Sequence, residues 1–341
     1  MSSSHQTPHS PGAAMSRRRA ITIVAAAAGM PLIGAAARAA AGEFHLWRGV
    51  ALGAEASLTL WHPDPARARR MVGLALGEIA RLEKIFSLFQ PGSELARLNR
   101  DGTLPQPSAD LRLLLEQSQR MGALSGGAFD ITVQPLWDLY AAHFGTNPDA
   151  QGGPDPRRIE AELARVDYRA IDVGPARAAF AHSGMTVTMN GIAQGYITDR
   201  VADMMRDGGF DQVIVELGEI RTLGSHPEGR PWRVGIKDPR APSQIARMID
   251  VADQAVATSG GYGTGFDASG RYHHIFDPTT GTSARRYLDV TVIGPRATVA
   301  DALSTALFVA PEARAEPLVR AFPGVYAIIT DLGGSVRRIA G

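Results

Sequence analysis

The sequence predicts an α+β fold with a mostly antiparallel sheet and flanking helices. Strand-like and helix-like segments do not alternate strictly along the chain, and several short apolar runs follow one another as in hairpins. The chain of 341 residues is 45% hydrophobic and 20% charged, which is typical of a globular protein with a sizeable core. No internal repeat is visible, and the length allows one large domain or two.

Hydrophobic periodicity assigns the elements of the first half. Residues 57–60 alternate between polar and apolar side chains, as expected for a strand with one buried face. A second pattern, of helical period, ends at the glycines Gly126 and Gly127. The predicted elements are a strand at 50–61, a helix at 66–85, a short helix after the turn at 91–95, a helix at 108–125 and a loop at 147–156.

The second half contains most of the predicted strands. Val and Ile dominate 212–217, which indicates a buried strand, and Gly208 and Gly209 end the helical pattern before it. The predicted elements are helices at 192–207, 298–309 and 313–321, and strands at 212–217, 232–236, 290–293 and 325–330.

The first 41 residues differ from the rest and predict an export signal. Three consecutive arginines precede an apolar run at 20–37, and small residues with Ala-x-Ala spacing follow it. Arginines in this place are typical of a twin-arginine signal, so 1–41 is predicted to be a removable signal peptide. A permanent membrane anchor is the alternative, although the run is rich in Ala and Gly and contains Pro31.

The composition of the mature chain excludes several classes of protein. Removal of 1–41 takes away four arginines and no acidic residue, so the formal net charge changes from +1 to −3. No basic cluster stands out, and we expect no nucleic-acid partner. The absence of cysteine excludes disulfides, thiolate metal sites, cysteine nucleophiles and a lipid anchor on an N-terminal cysteine. We therefore expect a mature protein that is free in the periplasm.

Asp301 and Thr305 are candidate metal ligands. Helical residues four apart differ by about 40° in direction and share one face. Asp and Thr are poor choices for a helix interior, so their presence in an otherwise apolar helix suggests that their oxygens are used. Paired hard oxygens suit Mg²⁺. The alternative is structural, with an Asp favoured near a helix N-terminus and a Thr bonded back to a carbonyl.

His274 is a candidate for proton transfer, and His273 precedes it. Adjacent residues of a strand face opposite ways, so only one of the two can enter a given site. A tight Asp-Pro turn follows directly and fixes the local backbone. Histidine suits acid–base chemistry near neutral pH, but a lone histidine is more often a satisfied core or surface residue.

Three further motifs combine glycine with polar residues. Residues 190–196 place two glycines at a helix start, where backbone can approach a ligand and N–H groups can meet a phosphate. Asn190 as a plain helix cap is the alternative. Residues 127–133 contain Asp130, a candidate cap or polar-edge ligand. Residues 258–265 are expected to form a mobile loop near a ligand, since no βαβ unit supports a dinucleotide motif there.

In this order the motifs resemble the ApbE family, the FAD:protein FMN transferases, over about 45–335. The motifs are Gly-Ala-Phe-Asp-Ile-Thr-Val at 127–133, Asn-Gly-Ile-Ala-Gln-Gly-Tyr at 190–196, Ala-Thr-Ser-Gly at 257–260, His-Ile-Phe-Asp-Pro-Thr-Thr-Gly at 274–281 and Ala-Asp-Ala-Leu-Ser-Thr-Ala-Leu at 300–307. The export signal, 190–196 and Leu-Gly-Glu-Ile-Arg-Thr-Leu-Gly at 217–224 are similar to the NosX branch, which is linked to nitrous oxide reduction.

The resemblance implies that 42–341 forms one α+β domain with FAD in a central cleft and Mg²⁺ at its pyrophosphate. By motif, the metal ligands would be Asp301, Thr305 and the carbonyl of Gly191, and His274 would assist proton transfer. FAD would be bound by residues from several segments: Leu52, Phe89, Ala128, Phe129, Asp130, Thr188, Gln194 and, through its backbone, Ile275.

The implied reaction transfers FMN from FAD to a Thr or Ser hydroxyl of a partner protein, and AMP leaves. Mg²⁺ would neutralise phosphate oxygens, while positioning dominates the rest of the catalysis. The expected acceptor is a domain of a membrane electron-transfer protein resembling NosR. The alternatives are a non-catalytic FAD-binding or flavin-delivery protein, and an FAD pyrophosphatase in which water replaces the hydroxyl.

Two positions depart from the family pattern. The family usually has Asp at the position of Thr188 and Lys at that of Gln194. Loss of the Lys removes a positive charge near the diphosphate, and loss of the Asp removes an acceptor for the nucleotide. Gln194 can still form hydrogen bonds and the Asp–Thr pair is intact, so a transferase remains the leading hypothesis.

Overall fold

The computed structural model describes residues 42–51 and 54–341. The strands are β1 (Glu43–Ala51), β2 (Ala54–His62), β3 (Thr103–Pro105), β4 (Ile171–Val173), β5 (Arg177–Phe180), β6 (Val213–Glu216), β7 (Ile220–Leu223), β8 (Trp232–Lys237), β9 (Ile245–Val251), β10 (Ala255–Gly260), β11 (Phe276–Asp277), β12 (Thr282–Ser283), β13 (Tyr287–Gly294), β14 (Tyr326–Asp331) and β15 (Val336–Ala340). The α-helices are α1 (Pro65–Phe86), α2 (Glu94–Asp101), α3 (Ala109–Ser125), α4 (Gln134–Thr146), α5 (Pro156–Leu163), α6 (Ala193–Asp207), α7 (Ala297–Val309) and α8 (Glu312–Arg320).

An eight-stranded sheet in the order β1-β2-β6-β7-β10-β13-β14-β15 lies at the centre of the fold. Every neighbouring pair in it is antiparallel. Smaller sheets join β3-β5-β4, β8-β9 and β11-β12. The predicted α+β fold, with a mostly antiparallel sheet and flanking helices, is confirmed.

The two faces of the central sheet are covered differently. In β6, Val213 and Val215 pack into the main core, whereas Ile214 belongs to a second cluster. This division follows from the two-residue period of a strand. The main core continues into α1, α6 and α7, and the second cluster contains Trp232 and Val234 of β8. The sheet therefore lies between a layer of helices and the β8–β9 hairpin.

Helix α3 shows how local signals set the ends of a predicted helix. The Ser108 hydroxyl accepts a 3.2 Å hydrogen bond from the backbone N–H of Leu111, which satisfies one free donor of the first turn. At the other end Gly126 takes a φ of 67°, a left-handed conformation that glycine adopts without a steric cost. The prediction of a helix at 108–125 is confirmed within one residue.

Helix α7 is the most deeply packed helix near the candidate site. It contacts α6, β10 and β13, and its apolar residues Leu303 and Leu307 are fully buried. The polar residues Asp301 and Ser304 are buried as well, with exposed fractions of 4% and 1%. A helix enclosed on this many sides brings its polar groups into the protein interior rather than into solvent.

Two predictions about local structure need correction, and the alternative role of Asn190 as a helix cap is not borne out. The predicted strand at 50–61 spans a hairpin, because β1 ends at Ala51 and pairs with β2. The predicted loop at 258–265 begins inside β10, whose residues are all buried up to Gly260. Asn190 does not cap the following helix, which begins after Ile192 without a side-chain cap. In each case long-range strand pairing or packing replaced a local preference.

The predicted signal peptide at 1–41 lies outside the described residues, as does the proposed flavin contact Leu52. In the described part of the chain, no helix combines the length and the apolar composition needed to cross a membrane.

Candidate functional site

The start of α6 and the middle of α7 are joined through Gly195 and Asp301. The backbone N–H of Gly195 donates a 3.0 Å hydrogen bond to Oδ2 of Asp301. A Cβ atom at Gly195 would lie 2.3 Å from the carbonyl oxygen of Ala297, so only glycine permits this approach. The second glycine of the 190–196 motif is therefore required for the packing of α6 on α7.

Gly191 and Thr305 also lie close together. A Cβ atom at Gly191 would lie 3.2 Å from Oγ1 of Thr305 and 3.3 Å from Cε2 of Phe129. The Thr305 hydroxyl lies 3.1 Å from the Ser259 hydroxyl, which places the end of β10 in the same cluster. Thr305 thus pairs with a side chain of another element rather than with a carbonyl of its own helix.

Asp301 is a buried carboxyl in an environment that disfavours its charge. Burial is the main cause that raises the pKa of Asp301 to about 7, and the negative charge of Asp199 acts in the same direction. The hydrogen bond from Gly195 opposes this shift. A cation beside Asp301 would favour the ionised carboxylate, because an opposite charge stabilises it.

Glu219 is a second buried carboxyl, which the sequence analysis did not identify as a site residue. Its exposed fraction is 5%, and among the described residues its Oε2 has no hydrogen-bond partner. The backbone N–H of Thr258 donates to the carboxylate. Burial, followed by the charge of Asp301, raises the pKa of Glu219 well above its usual range. The sequence signal for this residue is the acid inside Leu-Gly-Glu-Ile, at the start of the 217–224 motif.

The oxygen cluster consists of Asp301, Thr305 and Gly191. Its donors, together with that of the neighbouring Glu219, fit a hard divalent cation. These donors are carboxylate oxygens from Asp301, a hydroxyl from Thr305, a backbone carbonyl at Gly191, and a buried carboxylate oxygen of Glu219 that lacks a partner within the described chain. Oxygen donors of these kinds suit Mg²⁺ or Mn²⁺. The described residues contain no group of three or more His, Cys, Asp or Glu side chains placed for a metal, so a cation here would use mixed oxygen ligands.

The two adjacent histidines have different environments, although they lie before strand β11 and not within a strand as the sequence argument assumed. Nε2 of His273 lies 2.8 Å from the carbonyl oxygen of Ala284, and Nδ1 lies 3.3 Å from the backbone N–H of Ile275. These partners assign the neutral tautomer with the proton on Nε2. Burial lowers the pKa of His273 to about 4. His273 therefore holds the backbone of this segment together.

His274 offers a ring nitrogen that can accept a proton. Its Nδ1 lies 3.2 Å from the carbonyl oxygen of Thr264, so Nδ1 carries the proton and Nε2 is the acceptor. Burial lowers the pKa of His274 and keeps the ring neutral. The His273 ring packs 5.9 Å from that of Phe308, one turn beyond Thr305, which places the histidine segment beside the C-terminal half of α7.

The predicted flavin-site residues near α4 lie together. Ala128 and Phe129 are buried, and Phe129 contacts Gly191 of the oxygen cluster. Asp130 caps the following turn, since Oδ1 accepts from the backbone N–H of Thr132 at 2.8 Å and Oδ2 from that of Tyr168 at 3.0 Å. Burial raises the pKa of Asp130.

Thr188 precedes the 190–196 motif, and Gln194 lies within it. The backbone N–H of Thr188 donates a 2.8 Å hydrogen bond to the carbonyl of Ile131, the residue that follows Asp130. The Gln194 side chain lies over Gly218, because a Cβ atom there would be 2.6 Å from its Nε2. Gln194 therefore lies beside the segment that leads to Glu219.

Two other predicted FAD contacts, Ile275 and Phe89, differ in their exposure to solvent. Ile275 is buried, and its carbonyl accepts a 2.9 Å bond from Ala284. Phe89 lies after α1 and is 63% exposed, which leaves its ring accessible to a ligand or partner.

The sequence model of the ApbE family matches residues 52–329, which is most of the chain. The chain belongs to the ApbE family. An FAD:protein FMN transferase of Treponema pallidum (strain Nichols) is 33% identical over 293 residues, which cover 77% of this chain and 80% of that protein. A protein of the same description from Haemophilus influenzae is 30% identical over 263 residues, covering 74% and 76%.

Solved structures of this family share the fold. The flavin transferase ApbE from Vibrio cholerae is 26% identical, with a TM-score of 0.75, and the match covers 88% of this chain and 97% of that one. The ApbE protein of Thermotoga maritima is 30% identical, also with a TM-score of 0.75, and covers 87% and 97%. The ApbE fold therefore extends over nearly all of the described residues.

Proposed function

We propose that this ApbE-family chain is an FAD:protein FMN transferase, which attaches FMN to a Thr or Ser hydroxyl of a partner flavoprotein and releases AMP. The observation that carries the proposal is the meeting of Gly191, Asp301 and Thr305 where α6 packs on α7. Relatives that share this sequence over about three quarters of the chain are described as FAD:protein FMN transferases.

A divalent cation, proposed to be Mg²⁺, would be held by Asp301, Thr305 and the carbonyl of Gly191. When bound, it would supply positive charge that stabilises the phosphate oxygens of FAD as negative charge develops. The glycine at 191 leaves room for backbone to approach the substrate. Ser259 orients the Thr305 hydroxyl through their 3.1 Å contact.

His274 is the proposed proton acceptor for the attacking hydroxyl. Its Nδ1–H is anchored on Thr264, which directs the lone pair of Nε2 away from that anchor. A neutral ring can take the proton as the hydroxyl oxygen bonds to the phosphorus on the FMN side, and the phosphate bond to AMP breaks. His274 is the catalytic residue of this proposal, and the remaining residues bind and position FAD.

FAD binding is proposed to involve the predicted flavin-site residues on both sides of the oxygen cluster. Phe129 and Ala128 offer apolar surface, and Phe89 offers an exposed ring. Gln194 and Thr188 replace a charged Lys and Asp with neutral hydrogen-bonding groups. Leu52 and the backbone of Ile275 complete the proposed contacts. The neutral groups at 188 and 194 would bind the nucleotide through hydrogen bonds and would add no charge of their own near the cation.

The proposed setting is the periplasm. The support is the sequence pattern of 1–41, which predicts a twin-arginine signal peptide followed by one transferase domain at 42–341. The motifs at 190–196 and 217–224 are similar to the NosX branch, which favours an acceptor domain of a membrane electron-transfer protein resembling NosR. The acceptor would thus belong to nitrous oxide respiration.

One assay distinguishes transfer from the two alternative functions. The protein is mixed with FAD, MgCl₂ and a flavin-acceptor domain carrying a Thr, and the acceptor is examined by intact mass spectrometry while nucleotides are separated by chromatography. A covalent FMN adduct together with free AMP is the expected result. Free FMN and AMP with an unmodified acceptor would indicate a pyrophosphatase, and intact bound FAD would indicate a delivery protein; either result would contradict the proposal. An acceptor with the Thr replaced by Val is the control.

A further inference from the structure

Glu219 is a buried carboxyl that the proposed mechanism does not yet use. It lies between Gly218 and the first residue of β7 and is 5% exposed. Within the described chain its Oε2 has no hydrogen-bond partner. A buried, unpaired carboxylate oxygen is costly, so such a group normally has a cation or donor that satisfies it.

Contacts on either side place Glu219 next to the oxygen cluster. Gln194 lies over Gly218, and the residue after Gln194 donates its N–H to Asp301. The charge of Asp301 acts on the Glu219 carboxyl. Two carboxyls removed from water therefore face a common region where α6, α7 and β7 meet.

The nearest buried guanidinium in the same strand is paired with another acid. Arg221 follows two residues later in β7, and its Nε lies 3.6 Å from Oδ1 of Asp199. Its Nη1 donates a 2.9 Å bond to the carbonyl of Asp253. Arg221 is thus engaged by Asp199 and by the carbonyl of Asp253, and an ionised Glu219 would need a different counter-ion.

We propose that Glu219 supplies a further oxygen ligand, through Oε2, to the divalent cation at Asp301, Thr305 and Gly191. This inference rests on the proposed function, since it assumes that the cation binds there. A divalent ion between two buried carboxylates compensates both charges, which neither Gly195 N–H nor a neutral amide can do.

The same arrangement gives a reason for the amide at position 194. The resemblance to the family implies a Lys at this position, and in this chain the side chain of residue 194 lies over Gly218, the residue before Glu219. A Lys in that position would bring an ammonium to Glu219 and compete with the divalent ion for its oxygen. The neutral amide of Gln194 does not compete with the divalent cation for the carboxylate of Glu219.

The test is Mn²⁺ binding to the protein without FAD, followed by electron paramagnetic resonance of the free ion. Glu219→Gln is expected to weaken Mn²⁺ binding at least tenfold, and Asp301→Asn more strongly. Glu216→Gln is the matched control, because Glu216 lies three residues earlier and accepts a 2.9 Å bond from Ser57. The control should keep the wild-type affinity.

The outcomes separate this inference from the proposed function. If Asp301→Asn weakens Mn²⁺ binding and Glu219→Gln does not, Glu219 is not a ligand while the cation site remains. If neither variant changes the affinity, the cation site of the proposed function is wrong as well. Glu219→Asp, which keeps the charge on a shorter side chain, covers the case in which the Gln variant does not fold; wild-type affinity in this variant would count against the inference.

Thermal unfolding gives a readout that a purely structural role would not produce. Without metal, Glu219→Gln should melt no lower than the wild type, because a neutral amide replaces a carboxyl whose ionised form is disfavoured by burial. Saturating Mg²⁺ should raise the melting temperature of the wild type by more than that of the variant. A variant that is less stable without metal, yet shows the full shift with Mg²⁺, would overturn the inference.

Discussion

The hydroxyl of Ser259 lies 3.1 Å from the hydroxyl of Thr305, and this contact joins the end of strand β10 to helix α7. The same Ser259 hydroxyl lies 2.7 Å from that of Ser304. The direction of the Thr305 oxygen is therefore set by a residue outside its helix. This contact belongs to the motif Ala-Thr-Ser-Gly, for which the sequence analysis had no chemical role.

Replacement of Ser259 by Ala should disturb both hydroxyls of α7. We expect a loss of about 1 kcal/mol in the free energy of unfolding, because Ser304 and Thr305 lose a buried partner. We also expect Mn²⁺ or Mg²⁺ to bind several-fold more weakly, since Thr305 is free to turn. Urea unfolding and a metal titration measure the two effects. Thr258→Val is the control, because the Thr258 hydroxyl pairs with that of Thr291 at 2.9 Å. This substitution should lower the free energy of unfolding without weakening metal binding.

Gly195→Ala should destabilise the protein. Its Cβ would lie 2.3 Å from the backbone oxygen of Ala297, and backbone cannot move aside as a flexible side chain can. Overpacking of this kind costs about 1–3 kcal/mol, so the melting temperature should fall. Gly77→Ala in α1 is the control: a Cβ there meets no atom within 4 Å, and the change should stabilise the helix by about 0.5–1 kcal/mol. Equal melting temperatures for the two variants would contradict the packing of α6 on α7.

The buried, neutral His273 should make the protein less stable in acid. Burial lowers its pKa to about 4 from an ordinary value of 6.5, so between these two pH values the unfolded state binds a proton that the folded state does not. The free energy of unfolding should then decrease as pH falls from about 6.5 to about 4, by up to about 1.4 kcal/mol per pH unit. Urea unfolding at a series of pH values should show a smaller slope for His273→Gln. An unchanged slope would mean that His273 does not titrate in this way.

His274→Ala should slow transfer while sparing FAD binding. Loss of a general base typically costs about 10²–10⁴-fold in rate. The dissociation constant for FAD should stay close to that of the wild type, because Nε2 is proposed to act on the hydroxyl of the acceptor. In the wild type, the rate should fall as pH decreases through the lowered pKa of His274, since the protonated ring cannot accept a proton. An unaltered rate in the variant would remove His274 from the mechanism.

Much of the fold was predictable because local patterns and strand pairing agreed. Helix α3 carried its own cap at Ser108 and its own stop at Gly126. The prediction of one strand at 50–61 failed because Ala51 pairs with Ala54 across a hairpin, and the sequence has no Asn-Gly or Asp-Gly signal there. Strand β10 was missed because its pairing with β7 and β13 is long-range, and glycines at its end suggested a loop.

The candidate site was predictable where helical spacing determines geometry. Asp301 and Thr305 share a helix, so their common face followed from the sequence. The contact of Gly191 with Thr305 came only from the resemblance, because no local rule joins residues so distant in the chain. Glu219 was missed for the same reason: a single acid in a strand region reads as a surface residue until the fold buries it beside Asp301.

In the proposed mechanism, a divalent cation bound at Asp301 enables FMN transfer. The most direct measurement is a magnesium titration of covalent FMN transfer to an acceptor domain, with wild type and Asp301→Asn compared after each has been shown to fold by circular dichroism. We expect saturable Mg²⁺ dependence in the wild type and no transfer by the variant at any Mg²⁺ concentration. Transfer by Asp301→Asn at the wild-type rate, or transfer that persists in excess EDTA, would contradict it.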